Sequence, residues 1–184
     1  MKAVLDACVL YPTVLREILL GVAAKGLFVP LWSARILEEW ARAAARDGPA
    51  AELVARGEVA ALRAAFPGAE VTPDAGLLRR LHLPDADDIH VLAAAVSAGA
   101  DAIVTFNRAD FPRHILAAEG VERRDPDGFL WQLWSEAPAA VEAVCAGIVA
   151  RAAHLSGRPQ DRRAMLKRAR LPRLAKALSA GSQA

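Results

Sequence analysis

Cysteine is scarce in this chain: Cys8 and Cys145 are the only two in 184 residues. Two thiols cannot build a disulfide framework, and a reduced, cytoplasmic setting is the simplest expectation. Long apolar runs are missing as well. Hydrophobic residues make up 54% of the chain, but many are alanine and charges interrupt them. No run reaches the roughly 18 apolar residues that a membrane span needs, so none is expected. The opening MKAVLDACVLYP carries an acid inside its first apolar stretch and has no small-residue cleavage site, so it does not read as a signal peptide. His82, His90, His114 and His154 share no metal-ligand spacing and read as structural or surface residues. Cys8 lacks the arginine six positions on that a cysteine phosphatase requires, since Val14 stands there, and it reads as core. It also occupies the place where a haloacid-dehalogenase-type phosphatase would have a second aspartate.

What charge there is lies unevenly. The formal net charge is only +2, yet residues 151–184 hold nine Lys/Arg and one acid, a balance of +8. Residues 1–150 hold fourteen Lys/Arg and twenty acids, a balance of −6. A basic tail on an acidic body points to an anionic partner, either nucleic acid or an acidic protein surface, with a solvated helix face as the plainer reading.

Short apolar runs alternate with helical patterns. Ala3–Leu5, Leu27–Leu31, Ala69–Thr72 and Asp101–Thr105 read as strands. Helices are expected after Pro12, after the Ser33 cap, over about residues 50–65, from Asp74 to Leu81, and from Pro84 to the Gly99 stop. That alternation implies an α/β fold with a mostly parallel sheet. From about Asp125 onward the pattern is helical, with a break at Gly157-Arg-Pro159 before two short basic helices. The expected organisation is a domain over 1–135 followed by a basic helical extension over 136–184.

Four acidic neighbourhoods carry the chemistry: Asp6, Glu38-Glu39, Asp85-Ala-Asp87-Asp88, and Thr105-Phe-Asn107-Arg-Ala-Asp110. Three adjoin expected strand ends or helix starts, which converge on one crevice in an open α/β sheet. A carboxylate beside Val4, Leu5 and Val9 is costly to bury unless paired or metal-bound. Glu39, next to Trp40, is the inward member of its pair. The three aspartates of residues 85–88 repel one another, and the helix dipole offsets only about 1 kcal/mol of this. Asp88 precedes the apolar positions Val91, Leu92 and Ala95 and so lies at the inner edge of its helix start. Thr105 and Asn107 follow the last strong strand, and Asp110 is near enough to join the crevice or to cap the next helix. Acidic oxygens brought together in one crevice call for a hard cation, Mg²⁺ or Mn²⁺.

VLDACVLYP, SARILEEW and PDADDIHVLAAAVSAGADAIVTFNRADFP, in that order, resemble the PIN-domain family, in particular its VapC-type ribonuclease toxins. The resemblance covers roughly residues 2–135, and the tail looks like the extension of one subgroup. It implies a PIN-like three-layer α/β/α fold with a C-terminal helical annex. It also implies a metal-dependent endoribonuclease, the toxin of a toxin–antitoxin module, with a cognate antitoxin, homodimerisation, no membrane association and a cytoplasmic setting. The family's acids map onto Asp6, Glu39 and Asp88, with Asp87 as an additional neighbour and Thr105 as the polar residue beside the site. The usual fourth acid falls on Asn107, a departure that leaves either Asp110 to supply the charge or a site that binds its metal more weakly than the family norm. RNA would approach along Arg108 and Arg113, with the 162–176 basic cluster as a second surface. A non-catalytic PIN-like scaffold, favoured by Asn107, and a DNA-directed nuclease of related fold are the alternatives.

Overall fold

The computed structural model describes residues 1–180. Strand β1 (Lys2–Leu5) runs into a single helical turn, α1 (Ala7–Leu10), and Pro12 then fixes the entry to α2 (Thr13–Ala24). Strand β2 (Val29–Leu31) leads to α3 (Ala34–Ala44), where the Ser33 hydroxyl accepts a hydrogen bond from the Ile36 N–H at 3.2 Å. A 3₁₀ turn at Ala45–Asp47 precedes α4 (Pro49–Ala65). Helix α5 (Ala75–Arg80) is capped by Asp74, whose carboxylate accepts from Gly76 and Leu77. A 3₁₀ turn at Ala86–Asp88 opens α6 (Ile89–Ala98), which Gly99 closes at φ 57°, a left-handed position that glycine tolerates best. Then follow β3 (Ala102–Val104), α7 (Arg113–Ala118) and β4 (Glu122–Arg124). The remainder is helical: α8 (Pro126–Glu136), α9 (Pro138–Ser156), α10 (Arg162–Arg168) and α11 (Pro172–Ala180).

The fold class is α/β. All four strands are parallel, in the order β2-β1-β3-β4, with Val4 opposite Leu31 and Ile103, and Ile103 opposite Arg123. Successive residues of β1 and β3 are buried, Ala3, Val4, Leu5, Ile103 and Val104 among them. Both faces of the central strands are therefore covered, as the three-layer arrangement of a PIN-like fold requires. Two features depart from the sequence reading. Ala69–Thr72 forms no strand, only an isolated bridge between Trp32 and Glu70. Conversely β4 was not expected, because Glu122-Arg-Arg lacks the apolar signature. It is an edge strand, where charge is tolerated and discourages pairing with other chains.

Two compact units make up the chain. The first comprises Met1–Tyr11 and Phe28–Arg124 and contains the sheet; the second comprises Pro12–Leu27 and the chain from Asp125 on. In the second unit, Gly21 lets α2 and α9 approach closely, since a Cβ there would lie 2.6 Å from Val144 Cγ1. Asp127 of α8 is buried and accepts from the Arg173 and Leu174 N–H groups at 2.8 and 3.0 Å, so a side chain from another helix caps α11. Helix α9 is long and apolar enough, by length and composition, to cross a membrane. Its two charged residues pair inside the second unit, Glu142 with Trp134 Nε1 at 3.2 Å and Arg151 with Glu17 at 2.6 Å. Val141, Cys145 and Ile148 form its buried stripe at helical spacing.

Candidate metal centre

Parallel strands deliver their C-terminal ends to one edge, and β1 and β3 end on polar residues there. Asp6 follows β1 and is only 6% exposed. Its Oδ2 accepts from the buried Thr105 hydroxyl at 2.6 Å and from the Cys8 thiol at 3.0 Å. Among the described residues its Oδ1 accepts no hydrogen bond, so the carboxylate is clamped on one oxygen and open on the other. Cys8 in turn accepts from the Phe106 N–H at 3.3 Å. Burial first, and then the Asp6 charge, push the Cys8 thiol up to about 12. The thiol is therefore a protonated donor to Asp6 rather than a nucleophile.

Thr105 passes the network on. Its Oγ1 accepts from the Asn107 N–H at 2.9 Å, and Asn107 Nδ2 donates to Asp88 at 3.1 Å and to Asp110 at 2.5 Å. One neutral amide thus bridges two carboxylates. Asp85, Asp88 and Asp110 each offer an oxygen, and these three atoms lie within 4.8 Å of one another. Burial, followed by the charges of Asp6, Asp85 and Asp110, pushes the Asp88 carboxyl up to about 6. Among the described residues no Lys or Arg pairs with Asp6, Asp85, Asp88 or Asp110. Such a group resists losing its last proton until a cation arrives. The donors are hard carboxylate and amide oxygens, which suit Mg²⁺ or Mn²⁺.

Glu39 and Asp87 sit differently. Arg35 Nε donates to Glu39 at 3.0 Å, and its Nη2 donates to the Asp87 carbonyl at 3.1 Å. The Asp87 side chain is 92% exposed and, among the described residues, meets only Arg35, at 3.5 Å. His90 is 4% exposed and its Nε2 lies 2.9 Å from Glu39 Oε1, although neither ring nitrogen makes an aligned hydrogen bond. Burial pushes the Glu39 carboxyl up, but His90 and Arg35 outweigh this and hold it below the usual carboxylate range. Glu39 therefore carries its charge beside Arg35 and His90, outside the Asp85–Asp88–Asp110 group.

The structure thus brings together Asp6, Asp88, Thr105, Asn107 and Asp110, sets Glu39 beside His90, and leaves Asp87 in solvent. Asp85 joins the group although the sequence reading did not select it. Its position just before two further acids was the available signal, masked because an exposed N-cap reads the same way. The donor role of Cys8 and the burial of His90 were likewise missed, since neither residue belongs to a ligand spacing. Arg108 and Arg113 are exposed, and Arg113 helps line a groove of about 340 Å³ with Ala117, Val121, Glu122, Arg123 and Arg124.

No curated protein and no solved structure matches this chain. One family does: the PIN domain matches residues 2–109, which span both strand-end residues, the glutamate helix and the acidic helix start. That match covers more than half of the sequence, and the chain belongs to the PIN domain family.

Proposed function

We propose that this protein is a Mg²⁺- or Mn²⁺-dependent endoribonuclease of the VapC toxin type. PIN domains are generally nucleases and typically use divalent ions. The observation that carries the reading is the uncompensated charge around Asp88, where acids converge with no Lys or Arg between them. Asp6, Asp88 and Asp110 are assigned as ligands, directly or through water, with Asp85 at the rim. Glu39 acts beside them, and Asp87 is at most an outer contact. A divalent ion held by these acids would supply a water of lowered pKa and stabilise negative charge on the leaving oxygen.

The chain's own residues do the rest. Thr105 and Cys8 fix Asp6 through Oδ2 and leave Oδ1 as the oxygen that would hold a cation. Asn107 holds Asp88 and Asp110 together by neutral donation, replacing the charge that the family's fourth acid would add. The cost is weaker attraction for the cation, which Asp110 offsets. Arg108 and Arg113, both exposed, take the RNA phosphates, contacts that give affinity without reading sequence. A cognate antitoxin and a second copy of the chain are the protein partners this reading implies.

The decisive experiment is cleavage of RNA by nuclease-free protein with Mn²⁺, compared with Asp6→Asn. Wild-type cleavage that the variant loses is the expected result, and equal cleavage by both would refute the assignment. Asn107 favours a second reading, a PIN-like scaffold without catalysis. Calorimetric titration separates the two, because a scaffold need not bind Mn²⁺. Parallel assays on single-stranded DNA test the DNA-directed alternative.

A further inference from the structure

Several cations of the first unit are neutralised where they stand. Arg42 and Arg56 sit on Glu38, Arg56 also on Glu52, Arg63 on Glu70 and Arg80 on Glu119, at 2.6–3.0 Å. The α10–α11 segment of the second unit is arranged in the opposite way. Residues 158–176 contain eight Lys/Arg and a single acid, Asp161, whose carboxylate is used to cap α10 through the Arg163 N–H at 2.9 Å. Among the described residues the exposed side chains of Arg163, Lys167, Arg168 and Lys176 have no acidic partner. Arg163 and Lys167 are four apart on one helix, and Arg173 and Lys176 are three apart on the next. Like charges at these spacings share a face and repel. Sequence has thus placed cations in one another's company and withheld the glutamates that pair with Arg42, Arg56, Arg63 and Arg80 in the first unit.

An aromatic plane stands beside one cation of this segment. Trp131 of α8 is 36% exposed, and the Arg173 guanidinium lies 4.4 Å from the centroid of its ring. Asp127 fixes this arrangement by holding the Arg173 backbone N–H at 2.8 Å. A bare cation cluster fits any polyanion. A tryptophan surface carrying a stacked guanidinium fits more narrowly, because nucleobases have the flat faces that such a platform takes up. We propose that α10, α11 and Trp131 form a surface for single-stranded RNA, with Arg163, Lys167, Arg168 and Lys176 on phosphates and a base against Trp131. The choice of RNA rests on the ribonuclease reading, while the surface itself lies in the unit that does not contain the acidic site.

The test is fluorescence anisotropy of full-length protein with a fluorescein-labelled oligouridylate of about 12 nucleotides. EDTA is present, so binding is read without cleavage and does not depend on the metal centre. Two variants are compared across a salt series: Arg163→Ala/Lys167→Ala/Arg168→Ala/Lys176→Ala, and Trp131→Ala, each shown folded by circular dichroism and its melting curve. Loss of four phosphate contacts should reduce the slope of log affinity against log salt by about 2 to 3. Trp131→Ala should weaken binding about tenfold while leaving that slope unchanged. Wild-type affinity and slope in both variants would overturn the proposal, even if the protein cleaves RNA. Failure of the wild type to cleave, with the binding losses as expected, would refute the ribonuclease reading and leave the RNA surface standing. If Trp131→Ala binds normally and a polyglutamate peptide displaces the RNA from the wild type at equal charge, the surface serves an acidic protein and the RNA assignment falls.

Discussion

Asp88→Asn removes one carboxylate from the acidic group and should stabilise the metal-free protein near neutral pH while leaving it unchanged in acid. The Asp88 carboxyl is pushed from 3.8 up to about 6, by burial first and then by Asp6, Asp85 and Asp110. The folded state therefore binds this proton more tightly than the unfolded chain does. Stability is fully present below about pH 4, is lost as pH rises toward 6, and stays reduced above that. A shift of roughly two units corresponds to about 3 kcal/mol. Water screens this half-buried group, and about 1 to 1.5 kcal/mol is the appropriate figure. For a chain of this size that is about 3 to 5 °C in Tm. The replacement keeps an oxygen for the Asn107 Nδ2 donor, so the 3.1 Å hydrogen bond survives. Calorimetry in EDTA at pH 7.5 should find the variant melting higher by this margin, and at about pH 3, below the unfolded value, the two should coincide. A variant that melts lower at both values would refute the reasoning, because Asp88 would then be held by attraction rather than strained by repulsion.

Asn107→Asp replaces the bridging amide by a fourth acid. Thermal melting in EDTA should fall by an amount equivalent to about 1 kcal/mol or more as donors to Asp88 and Asp110 are lost, whereas titration calorimetry should find Mn²⁺ bound at least tenfold more tightly. Burial, with the neighbouring Asp6 charge adding to it, holds the Cys8 thiol up at about 12, and Cys145 is similarly pushed up to about 11 by burial. Iodoacetamide at pH 8 should leave both unmodified in native protein and label both in urea, as mass spectrometry will read. Asp127→Ala strips the cap from α11 and leaves the Arg173 and Leu174 N–H groups unpaired, which should cost about 1 to 2 kcal/mol. Urea unfolding measures it, and Asp127→Asn should recover part of the loss.

The central strands were legible because β1 and β3 are buried on both faces, and such strands read as short continuous apolar runs. β4 was not, since an edge strand need not be apolar and Glu122-Arg-Arg looks like loop. Ala69–Thr72 erred in the other direction: brief apolar character was enough for one bridge with Trp32 but not for a ladder. At the acidic site, position along the elements indicated which segments meet, because strand ends and helix starts are fixed by local sequence. Which member of a cluster turns inward depends on tertiary partners. Arg35 holds Asp87 outward, a contact between residues far apart in the chain that no local pattern encodes. The same holds for His90, whose place beside Glu39 follows from packing α3 near the start of α6.

The central claim is that these acids gather around a divalent ion. Crystals soaked in Mn²⁺ and measured for anomalous scattering test it most directly. The account predicts a peak with carboxylate oxygens of Asp6 and Asp88 within about 2.6 Å, the range for hard cations. A fully soaked crystal with no peak there, or with manganese bound only at Asp87 or elsewhere on the surface, would contradict it.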